Sequence, residues 1–223
     1  MMTGAESMRE YYAARAQEYD RVYLKPERQQ DLRAIERWLP SVFETKTLLE
    51  VACGTGYWTQ FIAGAARELV AVDASAEVLD IARTRVGSDV ASFIVGDAYR
   101  LPVGSRRFDA AFAGFWFSHV PKARVREFLR ELHRTLEPGA KVVLLDNRFV
   151  PGSSTPVSER DDEGDTYQVR RLEDGSTHRV LKNFPSEAEL REAVAGLSRE
   201  VRLHEWQYFW ALEYVVAAPR DPR

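Results

Sequence analysis

A doubly wound α/β domain on a mostly parallel sheet is the fold this sequence predicts, and three observations predict it. The first is the stretch from Leu48 to Asp73. It reads as a buried strand ending Glu50-Val51, a tight turn Ala52-Cys53-Gly54-Thr55-Gly56, an apolar helical pattern, and a second strand Leu69-Val70-Ala71-Val72 closed by Asp73. The second is the repetition of that alternation, with strand patterns at 91–95, 108–113 and 141–145 separated by helical or turn segments. The third is the change beyond Val150, where loop and hairpin signals take over and two alternating, aromatic-rich strands end the chain.

The turn carries the chemistry. Gly54 and Gly56 allow positive φ and let a ligand approach the backbone with no Cβ in the way. The helix after them points unpaired N–H groups over the turn. Asp73 stands 19 positions after Gly54, and an acidic group about 20 residues on accepts hydrogen bonds from ribose hydroxyls. The stretch therefore predicts an adenosine-type ligand. No placement of this frame gives Gly-x-Gly-x-x-Gly, the spacing of a dinucleotide turn. Glu50, two residues before the turn, would repel a pyrophosphate and suit a ligand carrying an amino group.

The pattern Glu50-x-x-x-Gly54-x-Gly56, followed by Val72-Asp73, resembles motif I and the acidic loop of the class I S-adenosylmethionine-dependent methyltransferases. Ala52 departs from the family, which most often has glycine there; alanine is expected to fit with a negative φ. Two further stretches are similar to the family: Tyr11-Tyr12-x-x-Arg15-Ala16-x-x-Tyr19-Asp20, like its helical flap, and Leu136-x-Pro138-Gly139, like its turn before the fifth strand. The resemblance covers Tyr11 to Leu145. It implies a seven-stranded sheet of order 3-2-1-4-5-7-6 with the last strand antiparallel, which right-handed crossovers permit. It also implies S-adenosylmethionine as cofactor and S-adenosylhomocysteine as product. Glu50 and the turn Ala52, Cys53, Gly54, Thr55 and Gly56 would hold the methionine portion. Asp73 with Ala74 would take the ribose, and Gly96, Asp97 and Ala98 the adenine. Gly114 and Phe115 would border the site, and Tyr19 or Trp58 would turn an electron-rich ring to the sulfonium.

Composition narrows the setting. At 223 residues with 45% hydrophobic and 29% charged residues, the chain suits one soluble domain, 1–223, with elaborations. A net charge of −3 makes no case for a general nucleic-acid binder. Cys53 stands alone, which excludes an intrachain disulfide and leaves no zinc-ligand spacing, so no metal is expected. No stretch reaches the roughly 18 apolar residues of a membrane span. Met1 to Glu10 lack the order of a signal peptide, so the expected location is the cytoplasm.

In chain order, Ser7 to Tyr23 reads as a helix with a tyrosine stripe, and Glu27 to Trp38 as a second helix stopped by Pro40. Residues 1–40 form the expected helical flap. Ser75 caps a helix carrying Val78, Leu79 and Ala82 on one face. The fourth strand leads into Gly114-Phe115-Trp116-Phe117-Ser118-His119, an aromatic wall with one titratable group. His119 is the candidate general base; the alternative is that it donates to a backbone carbonyl and holds the turn. Trp116, Asn147 and Arg148 are candidate substrate contacts at carboxyl ends of parallel strands. Residues 151–184 read as a loop and hairpin insertion, a lid, with the turn at Asp174-Gly175. The acidic loop 161–165 reads as a solvated linker or as an attraction for a cationic substrate. Ser186 and Glu189 have capping-box spacing before a helix to Ala195.

The expected function is methyl transfer from S-adenosylmethionine to a small-molecule O, N or C nucleophile. The chain lacks the Asn/Asp-Pro-Pro-Tyr/Phe tetrapeptide associated with methylation of nucleobase amines. A nicotinamide oxidoreductase, a non-catalytic cofactor-binding or interaction domain, and a protein or RNA methyltransferase stand as alternatives.

Overall fold

A computed structural model of the chain describes residues 19–218. Most of the helix expected from Ser7, with Tyr11 and Tyr12, lies outside the described residues, as do the Tyr19 side chain and the tail from Pro219. The described part of that helix, Tyr19–Tyr23, is a 3-10 turn.

Five parallel strands make the sheet: β1 (Thr47–Val51), β2 (Glu68–Asp73), β3 (Ser92–Val95), β4 (Phe108–Gly114) and β5 (Leu136–Asn147). Three short strands, β6 (Glu159–Arg160), β7 (Thr166–Arg171) and β8 (Thr177–Leu181), form a separate antiparallel sheet. β9 (Ser198–Glu205) and β10 (Phe209–Val216) return to the main sheet, β10 running antiparallel to β5. The resulting order, β3-β2-β1-β4-β5-β10-β9, matches the expected topology.

The apolar runs are buried on both faces, as parallel strands covered by helices require. Leu49, Val51, Val142 and Leu144 enter one core with Phe128 and Leu132 of helix 125–134 and Leu190 of helix 187–194. Leu48, Val143 and Leu145 point the other way, against Leu32, Ile35 and Leu39 of helix 29–42. Alternation along each strand thus divides one hydrophobic sequence between two cores. Ser75 accepts the Val78 amide, and Ser186 and Glu189 form a full capping box.

Several boundaries differ from expectation. The second helix passes Pro40 and ends at Val42. Proline in a last turn removes one amide donor only, and Ser41 Oγ donates to the Trp38 carbonyl at 2.7 Å. The helix after the glycine turn is only Thr59–Ile62, because the chain must turn back at once for Arg67 N–H to reach Lys46 O. Pro138-Gly139 does not precede the fifth strand but bulges within it: the β4–β5 register jumps between Phe108 and Ala110, and Gly139 takes φ +85°. The insertion is three-stranded, with β6 added to the expected hairpin. Its acidic loop is a folded turn rather than a solvated linker: Asp161 accepts the Glu163 and Asp165 amides, and buried Asp165 accepts Lys122 N–H at 2.9 Å.

Candidate active site

The first turn is built from backbone in the left-handed region. Ala52, Gly54 and Gly56 have φ of +55°, +56° and +75°. The negative φ expected at Ala52 is therefore overturned. Cys53 N–H donates to Val72 O, and Gly54 N–H donates to Asp73 Oδ2 at 2.8 Å, which folds the turn onto the end of β2. Asp73 Oδ1 also accepts Ser75 N–H at 3.0 Å, and its carbonyl accepts Gly96 N–H. One residue thus joins the first turn, the loop beginning at Ala74 and the end of β3. A Cβ on Gly96 would lie 2.5 Å from Pro102 Cδ, so that strand end needs glycine for space.

Glu50 is 1% exposed, and its Oε2 has no hydrogen-bond partner among the described residues. Burial, opposed by the Thr59 hydroxyl and reinforced by the Asp73 charge, pushes its carboxyl up to about 8. A buried carboxyl oxygen without a hydrogen bond beside an open turn is costly for the protein alone and suits an incoming cation or donor. Cys53 is buried, and burial raises its thiol well above the usual range, which leaves it an inert packing residue. Thr55 Oγ1 donates to Asp20 at 2.7 Å, and Arg85 binds both Asp20 and the Thr55 carbonyl, so the N-terminal 3-10 turn is tied to this loop.

Around the carboxyl ends of β3 and β4 the other candidates separate. Asp97 is exposed and accepts Tyr99 N–H, while Ala98 is buried. Gly114 makes room for Trp58, whose Cδ1 would stand 2.7 Å from an added Cβ. Trp58 is buried edge-on to Phe115, and its Nε1 has no partner among the described residues. Phe115 takes φ +59° and stacks between Tyr23 and Phe209, an unusual backbone for a bulky residue. Trp116 turns away into the core against Tyr99 and Phe128. Arg148 is exposed, donates to Trp206 O and pairs with Glu205, so it does not line the cavity described next.

That cavity encloses about 410 Å³. Its floor is Phe115, His119 and Asn147; the insertion supplies one wall and the segment after the 3-10 turn another. His119 is buried, with Nδ1 2.6 Å from Leu181 O, so this nitrogen donates to the carbonyl and ties the wall to β8. Burial, then the nearby Lys182 and Arg170 charges, hold the imidazole well below its usual range and neutral. Arg28 donates to Asn147 Oδ1 at 2.9 Å and to Ser153 Oγ at 3.0 Å. Lys182, Arg28, Lys25 and Arg170 were not among the sequence candidates. Nothing in their local pattern marks them, because they meet only when the insertion folds back.

Residues 48–139 match the family model of a methyltransferase domain. DhpI, solved in a complex with SAM and HEP, superposes with a TM-score of 0.79 at 30% identity, covering 96% of this chain and 99% of that one. The chain belongs to the class I S-adenosylmethionine-dependent methyltransferases. Another methyltransferase of the same fold, from Aquifex aeolicus, superposes with a TM-score of 0.61 at 19% identity over 92% of this chain and 98% of that one. The demethylmenaquinone methyltransferase of Staphylococcus aureus is 34% identical over 102 residues, 44% of this chain and 42% of that enzyme. The chain thus spans less than half the length of the curated relatives it matches. The methyl donor of this methyltransferase family is S-adenosylmethionine. No helix among the described residues is long and apolar enough to cross a membrane.

Proposed function

We propose that this methyltransferase passes a methyl group from S-adenosylmethionine to a small-molecule acceptor seated in the cavity beside Phe115 and Asn147. The observation that carries the reading is where the cavity opens. It lies at the carboxyl ends of β4 and β5, the edge where open α/β sheets bind ligands and where the turn after β1 also ends. The demethylmenaquinone enzyme among the relatives acts on a small molecule, and DhpI was solved with HEP beside SAM; both support an acceptor of that class.

The residues fit the cofactor. Glu50, buried with its Oε2 free of hydrogen bonds among the described residues, would receive the methionine ammonium, with the backbone of Ala52 to Gly56 beside it. Asp73 and Ala74 would meet the ribose, and Gly96, Asp97 and Ala98 the adenine. Gly114, Phe115 and Trp58 would wall the reacting end, with Tyr19 as a further ring. The bound cofactor supplies a methyl group already activated on a sulfonium. The protein's work is then to orient the acceptor and exclude water. Asn147 is held by Arg28 at the cavity floor and would position the acceptor; His119 would act as base only through a ring kept neutral. The insertion 151–184 and the N-terminal segment 1–40 would serve as the lid, a reading supported by the cavity walls they contribute.

Calorimetry with S-adenosylhomocysteine, followed by mass spectrometry of pooled metabolites incubated with S-adenosylmethionine, tests the reading. Binding in the micromolar range and one methylated small molecule are expected. Tight NAD binding with no S-adenosylhomocysteine binding would overturn it.

A further inference from the structure

Two carboxyls stand at the ends of neighbouring parallel strands, and the protein provides for them unequally. Asp73, closing β2, accepts the amides of Gly54 at 2.8 Å and Ser75 at 3.0 Å. Donors of that kind favour an ionised carboxylate. Glu50, one residue before the end of β1, is set among apolar groups. Its Cα pairs with Ala71 of β2 on one side and Phe112 of β4 on the other. Strand alternation puts its side chain on the same face as Leu48, which enters the second core with both of those residues. Its Oε2 receives no hydrogen bond among the described residues, and the Thr59 hydroxyl is the neighbour that favours its charged form.

No positive charge answers Glu50 from within the described chain. The ionisable groups that face it are Asp73 of β2 and the Cys53 thiol of the turn, neither of them a cation. The Arg83 charge, from helix 76–86, is felt at Cys53 and not at Glu50. Two close carboxyls in one dry corner do not both ionise at low cost, and the one without amide donors keeps its proton. Burial raises both groups, Glu50 to about 8.

We propose that cofactor binding at this turn is proton-linked: Glu50 is a neutral acid until the ligand's ammonium arrives, and its proton then passes to solvent. The inference rests on the cofactor placement above and adds its proton balance. A carboxylic acid and an ammonium become a carboxylate–ammonium pair plus one free proton, and no other group changes charge. The O–H bond of Glu50 breaks, its electron pair stays on the carboxylate, and a charge-assisted hydrogen bond forms in its place. Affinity therefore rises with pH up to the folded value of Glu50 and levels off above it. S-adenosylmethionine and S-adenosylhomocysteine carry the same ammonium, so exchange of one for the other moves no proton.

Calorimetry on the full chain tests this with S-adenosylhomocysteine at pH 7 in PIPES and in Tris, buffers with very different ionisation enthalpies. The difference in observed heat counts protons, and release of about one per ligand is expected. Affinity should fall about tenfold per pH unit between pH 7 and pH 6. Glu50→Gln should release no proton and bind with an affinity independent of pH over that range. A second probe needs no variant: 5′-methylthioadenosine keeps the nucleoside but lacks the ammonium, and should bind the parent without proton release. Binding of S-adenosylhomocysteine with no proton released overturns the proposal, as does equal release in Glu50→Gln or with 5′-methylthioadenosine. Absence of S-adenosylhomocysteine binding in the parent would sink the cofactor placement as well, whereas binding without protons sinks this inference alone.

Discussion

Lys182, just beyond β8, places its ammonium 2.8 Å from the carboxylate of Asp146 at the end of β5, and the two side chains are 5% and 0% exposed. Lys182 also donates to Ser118 Oγ, and Asp146 accepts the amides of Ser118 and Asn147. Three segments meet at this pair: the end of β5, the aromatic wall and the insertion. A buried pair of this kind contributes little over an apolar substitute, but loss of one partner strands the other charge.

Lys182→Met should therefore cost about 3–5 kcal/mol. The double variant Lys182→Met/Asp146→Asn, which removes both charges and keeps an acceptor for one of the two amides, should recover part of that loss. Urea unfolding of the three proteins measures both. The pair also sets an acid limit. Burial works against ionisation of Asp146, but the Lys182 ammonium outweighs it and holds the carboxyl at about 2. A carboxyl depressed on folding contributes stability above its unfolded value, about 3.9. That contribution should be lost as pH falls from about 4 to about 2, and the loss should be absent in the double variant.

Glu50 should behave with the opposite sign. Its folded carboxyl is raised to about 8. The folded state thus holds a proton that the unfolded chain has released, and stability falls as pH rises from about 4.3 towards 8, by at most about 1.4 kcal/mol per pH unit. Glu50→Gln should flatten this slope and stabilise the ligand-free protein at pH 7, while weakening S-adenosylhomocysteine binding. Urea midpoints across pH and calorimetry decide; a Gln variant that binds the ligand as well as the parent would remove Glu50 from the site.

Ala52 at φ +55° carries strain of about 1–2 kcal/mol. Glycine relieves it but loses more entropy on folding, about 0.5–1 kcal/mol. Ala52→Gly should accordingly raise stability by about 0.5–1 kcal/mol, whereas Ala52→Val should lower it. Denaturant midpoints of the two variants give the answer.

Asp73 and Asp97 should separate in cofactor affinity. Asp73 also fastens Gly54 and Ser75, so Asp73→Ala removes ligand contacts and loosens the turn; weakening of S-adenosylhomocysteine binding by about 10- to 100-fold is expected. Asp97→Ala, at an exposed strand end, should cost less than about tenfold. Equal and negligible effects in titration calorimetry would place the cofactor elsewhere.

Local spacing made the strand–turn–strand unit of the candidate site legible. The order strand, glycine turn, strand and carboxylate lies within 26 residues, Leu48 to Asp73, and parallel pairing brings its ends to one edge whatever surrounds it. The Asp174-Gly175 turn and the Ser186/Glu189 capping box were legible for the same reason, since each closes over a few bonds. Trp116 and Arg148 were readable as residues at a strand end but not in direction. One backbone turn at Phe115 sends the Trp116 ring into the core, and the Trp206 carbonyl draws Arg148 outward.

The sequence by itself determined the alternation of strands and helices and the glycine turn after β1, because those depend on periodicity and on glycine at fixed offsets; the strand order came from the family resemblance that the turn carries. Only the tertiary structure decided the acceptor side. Arg28, Ser153 and Lys182 are separated by 125 and 29 positions in the chain, and no short-range rule relates them. They share a cavity because the insertion folds back over the carboxyl edge and is fastened there by a buried ion pair. Long-range packing, which leaves no period in the sequence, set the charge that lines this cavity.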